Sequence, residues 1–565
     1  MDQKRDNELN LALMLPETER ARTTNLNTGY DSIINEWELI IRYSGDFIAA
    51  AATIINSIKE LSQGYALVKL YENRIDELAA LPEVIFMEKP KRLAYELDYS
   101  VVAACITPVW SNPYNLTGEG ILVGIIDSGI DYTHPDFRNA DGTTRIHSIY
   151  DETSGAIYSA DIINQALQSN DVAMRRQLIP ISDVSGHGTH VAGIAAGNGR
   201  ESEGRYRGVA YRATLVVVRL GEDEFNNTAR LMEGIDYVIR TAQELKIPVA
   251  INLSIGNNYG AHDGNSLLEN YIDEVSRTWK NVIVAGTGND AANGIHKSGV
   301  LGEQTENVEF VIGESEISLD IQLWKSYSDT FFLWIIAPDG QRLGPISKER
   351  TVTKLTYRDT LIYVYYGEPT PYSSAQEIFI QFIPQGNYIN SGIWKLQIEP
   401  VRIKNGEYDL WLPSSAFISR NTGFTTNSPE TTLTIPSTAY NVISTGAYNA
   451  RLNAYANFSG RGNTRRVETA KPDIVAPGVN IMSTAVGGGY VQKTGTSMAA
   501  PFVTGSAALL MEWGIVREND AFMYGEKVKA YLIRGAVPLA GEAVPSERTG
   551  WGKLCVEESI PRGVV

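Results

Sequence analysis

Cysteine is almost absent: the 565 residues contain two, Cys105 and Cys555. So small a supply excludes a disulfide-built scaffold and a thiolate metal cluster. The two sit near the ends of residues 97–565 and could be close in space, yet two free thiols in a reducing compartment are the simpler expectation. Histidine is scarce as well, with six residues, and no pair of them stands with a carboxylate in a zinc-site arrangement. Basic residues are in deficit, 49 against 66 acidic ones, for a net charge of −17. Nucleic acid and anionic membrane, which both need basic patches, are therefore not expected as partners. Long apolar runs are missing too. The best, Phe47 to Ile58, is too short for a bilayer and leads into Lys59 and Glu60. The first eight residues, Met1 to Glu8, are polar and mixed in charge. They show no secretory signal, so cytoplasmic synthesis is expected.

The rest of the composition is ordinary. With 43% hydrophobic and 20% charged residues, the chain reads as a soluble globular protein of two to four domains. Its most informative stretch is Gly495-Thr496-Ser497-Met498-Ala499-Ala500-Pro501. A serine at the start of an apolar, small-residue helix sits among free N–H groups and at the positive pole of the helix dipole, and both favour an oxyanion beside the hydroxyl. A lone serine is a weak nucleophile and needs a base, and the base needs an orienting group. Ser185-Gly186-His187-Gly188-Thr189-His190 offers the histidine, and the apolar run Val123 to Ile126 ends in Asp127. Singly, Asp127 reads as a turn carboxylate, His187 as a satisfied polar side chain and Ser497 as a helix cap. Jointly, they read as a triad in the chain order Asp, His, Ser.

These motifs resemble those of the subtilisin-like serine proteases, the subtilases. Lys471-Pro472-Asp473-Ile474-Val475-Ala476-Pro477-Gly478 and Gly286-Thr287-Gly288-Asn289 match the same family. The resemblance implies that His187 takes the proton of Ser497, that Asp127 orients the imidazole, and that the Asn289 side chain and the Ser497 N–H form an oxyanion hole. It also implies a substrate-binding strand at Ser254, Ile255 and Gly256, where an extended peptide adds as a further strand. Gly286, Thr287 and Gly288 would floor the first specificity pocket. His190 is then a structural histidine and His134 a loop-packing one; His147, His262 and His296 carry no motif.

Along the chain, residues 1–96 alternate strand-like and helical stretches. Trp37–Tyr43, Tyr65–Tyr71 and Val84–Glu88 read as strands, and Phe47–Leu61 and Arg74–Leu81 as helices. By resemblance this is a ferredoxin-like α+β prodomain, a chaperone and inhibitor of its own catalytic domain. Self-cleavage is expected in the region of Tyr95, Glu96 and Leu97. Residues 97–295 and 431–565 read as two parts of an α/β catalytic core, a parallel sheet between helices. The intervening 296–430 is rich in alternating strands and turn signals, with Asn405-Gly406 as a hairpin signal between two of them. It reads as an inserted all-β module, jelly-roll-like, whose expected part is rigidity, clamping core and prodomain together, with docking of a substrate or partner as the alternative.

This layout looks like the Csp germination proteases of clostridial spores. That narrower resemblance implies a serine endopeptidase that self-cleaves and then activates a protein zymogen, the precursor of a spore cortex-lytic enzyme. It implies spore association, and a prodomain held non-covalently after cleavage. The alternatives are a binding or signalling scaffold that keeps the fold, and a general degradative protease. A protein substrate and a monomer are expected. No cofactor or catalytic metal is expected, and a structural calcium or sodium ion is left open, because no aspartate cluster has recognisable ligand spacing.

Overall fold

The computed structural model describes residues 4–5, 7–14, 17, 29–32, 34–61, 64–89, 96–221, 227–350, 352–370, 373–462 and 470–561. The chain divides into two compact units, Met1–Tyr95 and Glu96–Val565.

In the first unit, α1 (Asn7–Met14), α2 (Phe47–Ala51) and α3 (Ile75–Ala79) accompany β1 (Glu36–Tyr43), β2 (Ser57–Leu61), β3 (Tyr65–Tyr71) and β4 (Val84–Glu88). The strands are antiparallel in the order β4-β1-β3-β2, which is ferredoxin-like. Trp37, Leu39 and Ile41 alternate along β1 and share a buried core with Leu9, Phe47, Ile75 and Leu78. The helix expected over Phe47–Leu61 stops at Ala51, and this corrects the sequence reading. Asp46 caps the helix through the Ala49 N–H. Residues 52–54 form a turn in which the Ile54 and Ile55 N–H groups donate to the Ala51 carbonyl at 2.8 and 3.2 Å, and Ser57–Leu61 pairs with β3 instead.

The second unit is built on a nine-stranded sheet. Its parallel strands are β5 (Leu122–Asp127), β6 (Ile146–Asp151), β7 (Thr214–Arg219), β8 (Val249–Leu253), β9 (Asn281–Gly286), β10 (Ile443–Asn449) and β11 (Ile474–Pro477), in the order β6-β7-β5-β8-β9-β10-β11. The helices used below are α4 (His187–Ala196), α5 (Thr228–Leu245) and α6 (Thr496–Met511). On one face Val123, Ile125, Ala250 and Val284 pack with α4 and α6. On the other, Leu122, Ile126, Ile251 and Ile283 pack with α5. The stretch Thr496–Val516 is apolar and long enough to cross a membrane by length and composition; in the fold it is buried, as the helix after Ser497 is expected to be.

Cys105 and Cys555 are joined as a disulfide, with Cα atoms 4.7 Å apart, so the expectation of free thiols is corrected. Tertiary packing brings together residues 450 apart in sequence. The Val556 N–H donates to the Ala104 carbonyl at 3.0 Å and fixes the two segments side by side.

Between β9 and β10 the chain forms two antiparallel sheets, of six and five strands, around one core that includes Phe310, Phe382, Trp394 and Leu410. Consecutive strands His296–Val300, Glu306–Ile312, Leu319–Ser326 and Thr330–Ile336 cross from one sheet to the other. The hairpin expected at Asn405-Gly406 is absent, which is a further correction. Gly392–Arg402 lies in the five-stranded sheet and Glu407–Trp411 in the six-stranded one. The turn is a corner between sheets because the Asp329 carboxylate gathers the Lys404, Asn405 and Gly406 N–H groups at 2.6, 3.0 and 2.8 Å. At the root of this module Trp411 is stacked between His262 and His296, with ring centroids 4.2 and 4.8 Å away. Burial pushes His262 down to about 4, and its ring nitrogens face the Leu433 and Asn258 carbonyls.

Candidate functional site

The carboxyl ends of parallel strands form a crevice where ligands of open α/β sheets collect. β5 ends on Asp127, and the β8 register sets Leu253 opposite Ile126. Ser254 therefore stands beside Asp127 at the same sheet edge. Each of these residues receives one partner from a helix start.

Asp127 is 1% exposed, and its Oδ1 lies 2.7 Å from Nδ1 of His187, the first residue of α4. The Ser128 N–H donates to the same oxygen at 2.7 Å. The His187 side chain is 29% exposed. Burial opposes the charged ring, but the adjacent Asp127 carboxylate outweighs it, and the His187 pKa is raised above 6.5. The start of α4 is fixed by Asp183, which the sequence reading missed. Asp183 Oδ1 accepts from Ser128 Oγ at 2.7 Å and from the Gly186 N–H at 3.0 Å; Oδ2 accepts from the Thr189 N–H at 2.7 Å and from Thr189 Oγ1 at 2.6 Å. No sequence signal marked it, because the residue directly before the helix, where a cap is looked for, is Gly186. Gly188 is needed for the approach: a Cβ there would lie 2.2 Å from the Gly129 carbonyl.

Ser497 lies in the first turn of α6, where backbone N–H groups have no intrahelical acceptor. Its hydroxyl donates to the Ser254 carbonyl at 3.1 Å. Pro501 has no N–H, so it leaves the Ser497 carbonyl without its usual i+4 donor. Ser254 Oγ fills that place at 3.0 Å. Behind Ser254, Asn252 Nδ2 donates to Ser254 Oγ at 2.8 Å, and Thr504 Oγ1 donates to Asn252 Oδ1 at 3.0 Å. This buried relay ties α6 to the end of β8. Periodicity did not disclose it, since Asn252 and Thr504 read as polar interruptions of apolar runs.

Asn289 is oriented through its carbonyl oxygen, which accepts from the Thr496 N–H at 2.9 Å and from Thr496 Oγ1 at 3.2 Å. Its Nδ2 makes no hydrogen bond among the described residues and is exposed toward the cleft beside Ser497. Ser254, Ile255, Gly256, Gly286, Gly288 and Asn289 line one cavity of about 200 Å³ together with Ser497. Thr287 does not line it. Strand alternation turns Thr287 into the core, where it meets Ser459 Oγ at 3.3 Å, and this corrects its expected place in the pocket floor. Asp290 and Ser414–Ala416 also line the cavity, and sequence reasoning assigned none of them.

Tyr95 of the expected self-cleavage region lies outside the described residues, and Glu96 and Leu97 open the helix Glu96–Ala103. His190 is buried, its Nε2 between the Ile481 and Val491 carbonyls at 3.0 Å each. Burial pushes it down to about 4, which suits a neutral packing residue. His134 Nδ1 accepts from the Asp136 N–H at 3.1 Å. No cluster of three or more His, Cys, Asp or Glu side chains suited to a metal ion occurs among the described residues. The arrangement offers a hydroxyl at a helix start, a carboxylate-bound imidazole and an outward amide in one crevice, the parts needed for acyl transfer.

The sequence profile of the subtilase family matches residues 118–364 and 420–552, and the chain belongs to that family. The profile of the Csp protease B prodomain matches residues 3–91. Among solved structures, the Clostridium perfringens CspB protease is similar at a TM-score of 0.78 and 40% identity, over 82% of this chain and 97% of that one. The minor extracellular protease Vpr of Bacillus subtilis (strain 168) is 25% identical over 82% of this chain and 54% of its own length. The PII-type proteinase of Lacticaseibacillus paracasei is 23% identical over 92% of this chain and 29% of its own. The chain thus spans about half the length of Vpr and less than a third of the proteinase.

Proposed function

We propose that this chain is a serine endopeptidase that cleaves its own N-terminal unit and then activates a protein zymogen by limited proteolysis. The observation that carries the reading is the Asp127–His187 pair at 2.7 Å, set beside Ser497 at one sheet edge. In the reaction the Ser497 hydroxyl turns from the Ser254 carbonyl to His187 Nε2 and attacks the scissile carbonyl as its proton passes to the ring. Asp127 holds the proton on Nδ1 and stabilises the imidazolium. The Ser497 N–H and Asn289 Nδ2 receive the tetrahedral oxyanion, and His187 then protonates the leaving amine. The likeness of residues 3–91 to the Csp protease B prodomain supports processing of the N-terminal unit, and the similarity to the Clostridium perfringens CspB protease supports limited proteolysis.

The test is the intact mass of purified wild type and Ser497→Ala, with N-terminal sequencing of any fragments. Wild type is expected to split near Tyr95–Ser100 while the variant stays whole. Two full-length proteins would set self-processing aside and favour a scaffold.

A further inference from the structure

We propose that the inserted sandwich positions the oxyanion hole. Ser414 and Ser415, on its return segment to the core, clamp Asp290 and so hold the neighbouring Asn289 amide toward the reacting carbonyl. The proposal rests on the protease reading above. Asn289 is an exposed residue at the turn that follows β9, and an amide free to swing would lose the preorganisation that makes such a donor effective. Its tip is held from the core, by the Thr496 N–H and hydroxyl. Thr496 Oγ1 also accepts from the Gly288 N–H at 3.1 Å, which ties the residue before Asn289 to the same point. The residue after it is held from the sandwich. Asp290 is 5% exposed. Ser414 Oγ donates to its Oδ2 at 2.7 Å, the Ser415 N–H reaches the same oxygen at 3.4 Å, and Ser415 Oγ donates to Oδ1. Asn293 Nδ2 donates to Asp290 Oδ1 at 2.8 Å and to Ser415 Oγ at 2.9 Å, which closes a ring of three side chains. The core holds the same turn through the Phe458 carbonyl, which accepts from the Ala291 N–H at 3.2 Å.

This reach follows from the topology. The entry strand His296–Val300 and the exit strand Glu407–Trp411 are antiparallel neighbours, with His296 opposite Trp411. The Leu412 N–H donates to the Ile295 carbonyl at 2.9 Å. The chain leaving the sandwich therefore runs back beside the chain that entered it, and Ser414 and Ser415 arrive at Asn293 and Asp290. The peptide between Asn289 and Asp290 is planar and rigid, so a fixed Asp290 limits the rotations open to Asn289. Loss of both hydroxyls would leave a buried carboxylate short of donors and release that peptide.

The experiment uses the full chain and two small probes. Phenylmethanesulfonyl fluoride reports the reactivity of Ser497 through its labelling rate, and phenylboronic acid forms a tetrahedral adduct on Ser497 that places an oxygen in the oxyanion hole. The Ser414→Ala/Ser415→Ala variant should label about tenfold more slowly and bind the boronic acid about tenfold more weakly, less than the ~10²–10³ of losing a donor outright. In an Asn289→Ala background the same pair should add less than about twofold, because it acts through the Asn289 amide. Ser414→Thr/Ser415→Thr keeps both hydroxyls and should label at close to the wild-type rate. Three results overturn the clamp and leave the protease reading standing: an alanine pair that labels like wild type, one whose loss is as large in the Asn289→Ala background, or a threonine pair as slow as the alanine pair. A wild type that is not labelled at Ser497 overturns the protease reading and the clamp with it.

Discussion

Every residue of the core strands Leu122–Asp127, Val249–Leu253 and Asn281–Gly286 is buried, whereas Ala375–Pro384 and Gly392–Arg402 of the inserted sandwich mostly alternate buried and half-buried side chains. A strand covered on both faces has no free side along its length. Its chemistry must gather at its end, and Asp127 and Ser254 stand at such ends. The antiparallel sandwich spends its buried carboxylates differently. Asp329 holds the turn at Asn405-Gly406, and Glu316 holds Ser419 and Thr422. In the core, buried carboxylates both orient the His187 ring and hold turns, as Asp127 and Asp183 do; in the sandwich they hold turns.

The sharpest way to break this contrast is in the core. Ser497→Ala should abolish turnover by a factor on the order of 10⁶, the size known for subtilisin itself, while leaving the thermal midpoint nearly unchanged; a residual rate near wild type would remove Ser497 from the chemistry. Asp127→Asn should lower kcat by about 10⁴, as loss of the orienting carboxylate does in other triads. Its pH profile gives a second reading. The His187 pKa is raised above 6.5 by Asp127, so wild-type kcat/KM should fall as pH drops through a value above 6.5, and Asp127→Asn should move that limb downward. The sign for stability is opposite: the raised pKa favours the fold below 6.5 and that contribution is lost as pH rises through the folded value.

Smaller effects separate holding from acting. Asp183→Ala should destabilise by about 2–4 kcal/mol, because it orphans buried donors at the start of α4, and should lower kcat as well through His187. Reducing the Cys105–Cys555 bond should cost about 2–4 kcal/mol, read as a drop in thermal midpoint with kcat unchanged below the transition. Asp329→Ala should cost about 1–3 kcal/mol by stripping three turn N–H groups of their acceptor, with no effect on sulfonyl fluoride labelling of Ser497. If it slowed labelling as much as Asp183→Ala does, the division between acting core and holding sandwich would fail.

Much of this was legible because the decisive signals are local. Gly-Thr-Ser-Met-Ala, His-Gly-Thr-His and an apolar run ending in Asp127 each carry their chemistry in consecutive residues. The illegible parts are long-range. Ser254 replaces the hydrogen bond that Pro501 removes from Ser497, across 243 residues, and neither sequence segment hints at the other. Thr287 sat inside a glycine-rich motif, yet the pleat turned it into the core. Asn405-Gly406 has the composition of a hairpin turn, but Asp329, far away in sequence, decided which sheets it joins.

The sequence by itself determined the family, the α/β core and the presence of an all-β insertion, and it offered Asp127, His187 and Ser497 as candidates in that order, because periodicity and short motifs follow from backbone geometry and side-chain type. Tertiary structure alone decided that Cys105 meets Cys555, that Trp411 stacks with His262 and His296, and that Ser414–Ala416 line the cavity beside Ser497. Those outcomes depend on packing between residues distant in the chain, where the free energy of a contact is set by the whole core around it and not by its neighbours in sequence.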